Sequence, residues 1–204
     1  LKNTIIFLIN SLFFVPLQHS YKKETLMILY TSDLHFGHEH VISFDNRPFQ
    51  TISQMDYTLI QLWNSRVQTD DVVYILGDFA YRNSHPAEWY LRQLQGKKHL
   101  LIGNHDQKLL GNPVALSYFE SIEKMCHVTD GKNEICLCHF PICEWNGYRK
   151  GHLHIYGHIH NRKDDTFHIM RSRTGAFNAG CMINHYMPAT LNELIKNNQA
   201  FWMT

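Results

Sequence analysis

The chain has 204 residues, 44% of them hydrophobic and 18% charged, with a formal net charge of +1. That length and balance fit one soluble globular domain with a sizeable core, and the near-neutral charge removes any argument from overall electrostatics for a nucleic acid or an anionic membrane as partner. Five cysteines without a regular framework read as reduced thiols of a cytosolic protein, whereas fifteen histidines stand out, because histidine is both the commonest metal ligand and the usual acid or base near neutral pH.

Residues 1–26 are read apart from the rest. Lys2 and the apolar run 4–17 imitate an export signal, but no small-residue cleavage site follows, and Asn10, Ser11 and Pro16 interrupt the run. Met27 is taken as the native start, with 1–26 an upstream extension and 27–204 a single cytoplasmic domain; a genuine export signal or anchor is the alternative. The apolar run 27–29 predicts a buried strand that opens into Tyr30-Thr31-Ser32-Asp33-Leu34-His35-Phe36-Gly37-His38-Glu39-His40. A short helix is expected over 41–50, ending before Pro48. A second is capped by Thr51 or Ser53 and runs to about Val67, with Ile52, Met55, Leu59, Leu62 and Trp63 at helical spacing. The run 72–76 predicts a strand that leads straight into Gly77-Asp78-Phe79. Pro86 opens a short helix ending near Gly96, and a strand at 99–102 is followed at once by Gly103-Asn104-His105-Asp106. Residues 119–139 read as extended segments around a turn at Asp130-Gly131, the last of them, 134–138, delivering His139. A strand at 154–156 leads into Gly157-His158-Ile159-His160. Further strands are expected at 167–170 and 180–183, and a closing helix at 190–196. Strands alternating with helices, then mostly strands, predict a layered α/β domain.

Chemistry-bearing residues recur where these strands end, the place at which open α/β sheets carry their sites. Asp33, His35, Asp78, Asn104, His139, His158 and His160 offer seven oxygen and nitrogen donors and no thiolate, enough for two divalent ions and unlike a closed structural zinc site. His158 and His160, two apart in an extended segment, can face one cluster. Two divalent ions against two carboxylates and one hydroxide leave a positive cleft, suited to an anionic substrate and to displacement at phosphorus. His105 has no place among the ligands and is the expected proton donor to a leaving alkoxide, with Asp106 orienting it or raising its pKa.

The blocks D-L-H at 33–35, G-D at 77–78, G-N-H-D at 103–106, His139 and G-H-I-H at 157–160 resemble the calcineurin-like metallophosphoesterase superfamily. S-D-L-H-F-G-H at 32–38, N-R-P-F at 46–49 and H-F-P-I-C-E-W at 139–145 are similar to a compact bacterial and phage group within it, in which Asn more often stands where this chain has His40. The resemblance implies a four-layered α/β/β/α sandwich and a dinuclear centre, of manganese first, with iron, zinc, nickel or cobalt as alternatives. By position Asp33, His35, Asp78 and His160 would hold one ion, and Asp78, Asn104, His139 and His158 the other. The implied activity is phosphoester hydrolysis, more readily of a diester, by a metal-bridging hydroxide with His105 as donor; the expected partner is a small phosphoester. A nuclease, or a silent binding module on the same fold, is the alternative. Nothing between Gly77 and Gly103 is long enough for a large cap, so an open cleft is expected.

His38 and Arg47 are assigned to a substrate phosphate, Arg47 in bidentate fashion, against the competing readings of a helix cap and a turn brace. Trp145, Tyr148 and Arg149 are read as packing and loop rather than as a base-stacking platform. Cys136 and Cys138 are read as buried structural thiols, and His152 and His154 as a loop and a strand position.

Overall fold

A computed structural model describes residues 26–82 and 85–204, so the extension read at 1–26 lies outside the described residues but for Leu26. The first sheet holds β1 (Ile28–Thr31), β2 (Val72–Ile75), β3 (Lys97–Leu101) and β4 (Phe119–Glu123), in that order and all parallel. The second holds β5 (Met125–Asp130), β6 (Asn133–Cys138), β7 (Leu153–Tyr156) and β8 (Ala176–Asn178), where β5 and β6 form an antiparallel hairpin and the rest run parallel. The helices are α1 (His40–Phe44), α2 (Ile52–Asn64), α3 (Ala87–Leu91), α4 (Gln107–Leu110), α5 (Pro113–Leu116), α6 (Asp165–Arg171) and α7 (Leu191–Met203).

Alternation along the strands builds the layers. Leu29 and Leu100 face outward onto Met55, Leu59 and Trp63 of α2 and Tyr90 and Leu91 of α3. Their chain neighbours Tyr30 and Leu101 face inward, joining Ile135, Leu137, Ile155 and Phe177 of the second sheet and Leu194 of α7. Tyr156, next to Ile155, faces outward again and packs with Trp145 and with Phe167 and Met170 of α6. Successive residues serve opposite faces of a strand, so each sheet is buried on both sides and four layers result.

Several boundaries fall short of those expected. α1 stops at Phe44 and α2 at Asn64, and Thr51 rather than Ser53 caps α2, its Oγ1 accepting from Gln54 N at 3.2 Å. Residues 167–170 are helix, not strand. Asp164 caps them by accepting from Phe167 N, and Phe167 and Met170 are buried three apart while His168 and Ile169 are exposed. A short apolar run carries no period that separates strand from helix, and the capping aspartate decides here. Residues 180–183 are not a strand either: Cys181–Asn184 is a 3-10 turn, and the edge strand is the three-residue β8 just before it. Among the described residues no helix is long and apolar enough to cross a membrane.

Candidate metal centre

The loops that leave β1, β2, β3, β6 and β7 converge at the carboxyl ends of both sheets. Backbone hydrogen bonds bind these loops to one another, from Asp33 N to Gly77 O, from His35 N to Asp78 O and from Gly157 N to His139 O. The loops leave no room for a side chain at Gly77 and Gly103. Gly77 has φ +82°, and a Cβ there would meet His139 Nδ1 at 2.5 Å; one on Gly103 would run into the Asp78 carboxylate. Glycine is required at both for that reason.

Five of the seven expected ligands are held in left-handed backbone: Asp33 (φ 56°), His35 (52°), Asp78 (54°), His158 (72°) and His160 (54°). Each costs roughly 1–2 kcal/mol for an L-residue, so such conformations persist only where surrounding bonds enforce them. Those bonds are present. Arg47 donates from its guanidinium to Asp33 O (2.8 Å) and Leu34 O (2.9 Å). Asn178 donates to His160 O at 2.8 Å, and His158 N donates to both oxygens of the Asp33 carboxylate. Asp106 accepts from Asp78 N, Phe79 N and Gly103 N.

The seven side chains form two adjoining groups. Asp33, His35, Asp78 and His160, all buried, bring donor atoms within 4.8 Å of one another. His35 Nε2 lies 3.2 Å from His160 Nε2. In the second group Asn104 Oδ1 is 3.0 Å from His139 Nε2 and 2.9 Å from His158 Nδ1. Asp78 Oδ2 joins the groups, 3.6 Å from both His35 Nε2 and His139 Nε2.

Proton positions test whether cations fit here. His139 Nδ1 sits 2.7 Å from Leu76 O, which can only accept, so Nδ1 carries a proton and Nε2 is the nitrogen presented to the centre. His160 Nδ1 donates to Asp45 at 2.8 Å, which turns its Nε2 toward the centre as the nitrogen free to ligate. His139 Nε2 and Asn104 Oδ1 thus both turn toward the centre, 3.0 Å apart. A cation there would be met by both, and the mixed nitrogen and oxygen set suits a divalent transition metal. Burial, reinforced by the neighbouring His160 charge, holds His35 well below its ordinary pKa and in the neutral form a ligand needs. Burial also raises Asp78 to about 7. At His160 burial acts downward, but the Asp45 hydrogen bond and the Asp33 charge outweigh it and the pKa rises.

His105 lines the cleft. Its ring packs on Tyr81 (centroids 4.2 Å) and lies 5.5 Å from His35, and its backbone N donates to Asp78 Oδ1. Burial lowers its pKa, against the pull of Asp106. The expectation that Asp106 orients the His105 ring is corrected. Its buried carboxylate is taken up by three backbone N–H groups, so it locks the Asp78 and Gly103 loops and reaches His105 only through its charge. Arg47 is corrected too. It is buried, and its donors go to Asp45, Asp33 O and Leu34 O, so it braces the first loop instead of lining the cleft. His38 does line the cleft, edge-on to Tyr81, and burial pushes it down to about 4. His154 is a buried strut, Nδ1 donating to Cys136 O and Nε2 accepting from Ile142 N. Cys136, Cys138 and Trp145 are buried in the packing on the outer face of the second sheet. The cavity over the centre has a volume of about 250 Å³, with His38, His40, Phe44, His105, His158 and Arg162 in its wall.

Asp45 and Asn178 are the residues that sequence reasoning missed. Asp45 ties His160 to Arg47, a carboxylate–histidine arrangement that fixes the tautomer of a ligand. An aspartate two residues from Arg47 was its only trace in the sequence.

The profile of the calcineurin-like phosphoesterases matches residues 26–174, a span that contains all seven ligand candidates and His105. The chain belongs to that family. Its two sheets with helices outside them have the metallophosphoesterase architecture. An uncharacterized protein of Methanocaldococcus jannaschii is 28% identical over 167 residues, covering 81% of this chain and 87% of its own. The Gene 66 protein of Mycobacterium phage L5 is 28% identical over 172 residues, covering 70% and 81%. Among solved structures, a protein of unknown function from Aquifex aeolicus superposes with a TM-score of 0.67 at 24% identity, over 84% of this chain and 99% of that one, a likeness of fold. Family membership makes this chain a hydrolase of phosphate esters with a cluster able to hold metal.

Proposed function

We propose that this protein is a metal-dependent phosphodiesterase. The reading is carried by one observation: the buried Asp78 carboxylate lies between two groups of nitrogen and oxygen donors, 3.6 Å from both His35 Nε2 and His139 Nε2. Asp33, His35, Asp78 and His160 would hold one divalent ion, and Asp78, Asn104, His139 and His158 the other, manganese being the first to supply. Ions so held polarise a phosphoryl group and acidify water.

The chain's own residues do the rest. His105 stands in the cleft wall beside the shared carboxylate and serves as proton donor to the leaving oxygen. Its lowered pKa makes it a stronger acid, and an anionic phosphate beside it favours the charged form it must donate from. Tyr81, packed on its ring, restricts its swing. His38 stands on the same wall, facing the substrate. Side-chain charge beyond the ions supports the diester preference. With Arg47 withdrawn to the interior, Arg162 is the one arginine or lysine lining this cavity among the described residues, a sparse complement for a dianionic monoester and a sufficient one for a monoanionic diester.

The test is hydrolysis of bis-p-nitrophenyl phosphate by purified protein supplied with manganese and then chelated, beside an Asp78→Asn control. Turnover that needs metal and vanishes in the control is the expected result. No turnover with two ions bound would overturn the diester reading, and no ion bound would overturn the site.

A further inference from the structure

Two phenylalanines stand in the open at the metal centre. Phe44 is 64% exposed and Phe140 45%, while every other phenylalanine among the described residues is buried or half-buried. Their places differ in a telling way. Phe44, at the end of α1, meets the ring of His160 edge-on at 6.0 Å, in the first ligand group. Phe140 follows His139 and contacts the rings of His139 (4.9 Å) and His158 (4.8 Å), both in the second. Each half of the centre therefore carries one aromatic ring with much of its surface in water. Neither ring is held by a core, and exposed aromatic surface beside a polar cleft is what a flat ligand group would cover.

On the phosphodiesterase reading, on which this inference rests, phosphorus sits over the shared Asp78 and its two ester arms diverge toward the two groups. We infer that Phe44 and Phe140 are specificity-determining residues that each pack against one arm, so that the preferred substrates are diesters whose two arms both carry a flat unsaturated group, a nucleobase or an aryl ring. Stacking of this kind tolerates any planar partner and needs no basic surface, in keeping with the near-neutral charge of the chain.

The experiment compares wild type, Phe44→Ala, Phe140→Ala and the double variant on three esters: bis-p-nitrophenyl phosphate, thymidine 5′-(p-nitrophenyl phosphate) and methyl p-nitrophenyl phosphate. Bound metal is measured for each protein. Each single variant is expected to lose roughly tenfold in kcat/KM, mostly through KM, on the two esters with two flat arms, and the double variant roughly the product. On the methyl ester only the variant on the leaving-group side should lose. A larger loss on the thymidine ester than on the bis-aryl ester would identify the nucleobase as the preferred group; the reverse order would identify the aryl group. Unchanged kinetics in active variants, or equal losses on all three esters with depleted metal, would overturn the inference, the latter by showing that the rings only shield the ligands. A wild type inactive on all three with ions bound would instead overturn the phosphodiesterase reading beneath it.

Discussion

The two groups of candidate ligands meet at the Asp78 carboxylate but are built differently. In the first, Asp33, His35 and His160 are buried, and behind them Asp45, Arg47 and Asn178 form a second layer in which nearly every donor is matched to an acceptor. In the second, His139 is fixed by Leu76 O, but His158 is half-exposed, and Asn104 stands at the cavity wall with only imidazole neighbours. Buried, doubly supported ligands hold an ion in fixed geometry, whereas open ones let it exchange and let substrate reach it. The first group should therefore be the tight site and the second the working face.

The harshest way to break that contrast is at the group both halves share. Asp78→Asn should lower activity on a diester by on the order of a thousandfold or more and weaken both ions together, read by turnover and metal content. Loss of one ion only would mean the carboxylate is not shared.

Asp45→Asn should act on the first group alone. It leaves the buried Arg47 cation without its partner, which costs about 3–5 kcal/mol, and it loosens His160, which should weaken one ion by about 10–100-fold. Thermal melts and metal titration check this, and a variant that loses the second ion first would reverse the assignment of tight and open sites.

Acidity sharpens the comparison. Burial raises Asp78 to about 7, and a proton there competes with metal, so apparent affinity should fall as pH drops below about 7 and level off above it. For the metal-depleted protein the sign is opposite. Its folded state holds this proton more tightly than the unfolded chain does, so the contribution of Asp78 to stability is present at low pH and is lost as pH rises toward about 7. Titration calorimetry with manganese and melts of chelated protein across that range read the two signs separately.

The smallest effect lies away from both halves. Glu193 accepts from Thr190 N and Thr190 Oγ1 at the start of α7 and pairs with Arg66; burial acts to raise its pKa, but these bonds outweigh it and bring it down. Glu193→Gln should cost about 1 kcal/mol at neutral pH, less as pH falls through the lowered pKa, and leave metal affinity unchanged.

How much of this was legible in the sequence follows the same division. The seven donors could be read because each sits where an apolar run stops, and the layered fold because runs and helical spacing alternate along the first half. The support behind the first group could not. Arg47 reads equally as a phosphate ligand or a turn brace, because a guanidinium two residues past an aspartate says nothing of which way it points. Asp106 misled for a similar reason, since adjacency to His105 in the chain says nothing of its side chain, which turns to the backbone of Asp78, Phe79 and Gly103. β8 was lost because three residues carry no period, and Asn178 within it is meaningful only once it lies beneath His160.

The left-handed backbone of Asp33, His35, Asp78, His158 and His160 has a consequence for how this chain can change over evolutionary time. At each of these positions glycine would relieve the backbone and remove the ligand in one step. Selection for thermal robustness and selection for chemistry thus pull in opposite directions at five sites at once. A lineage released from the second pressure should drift toward glycine there first, leaving an intact sandwich whose sequence records that these donors were given up.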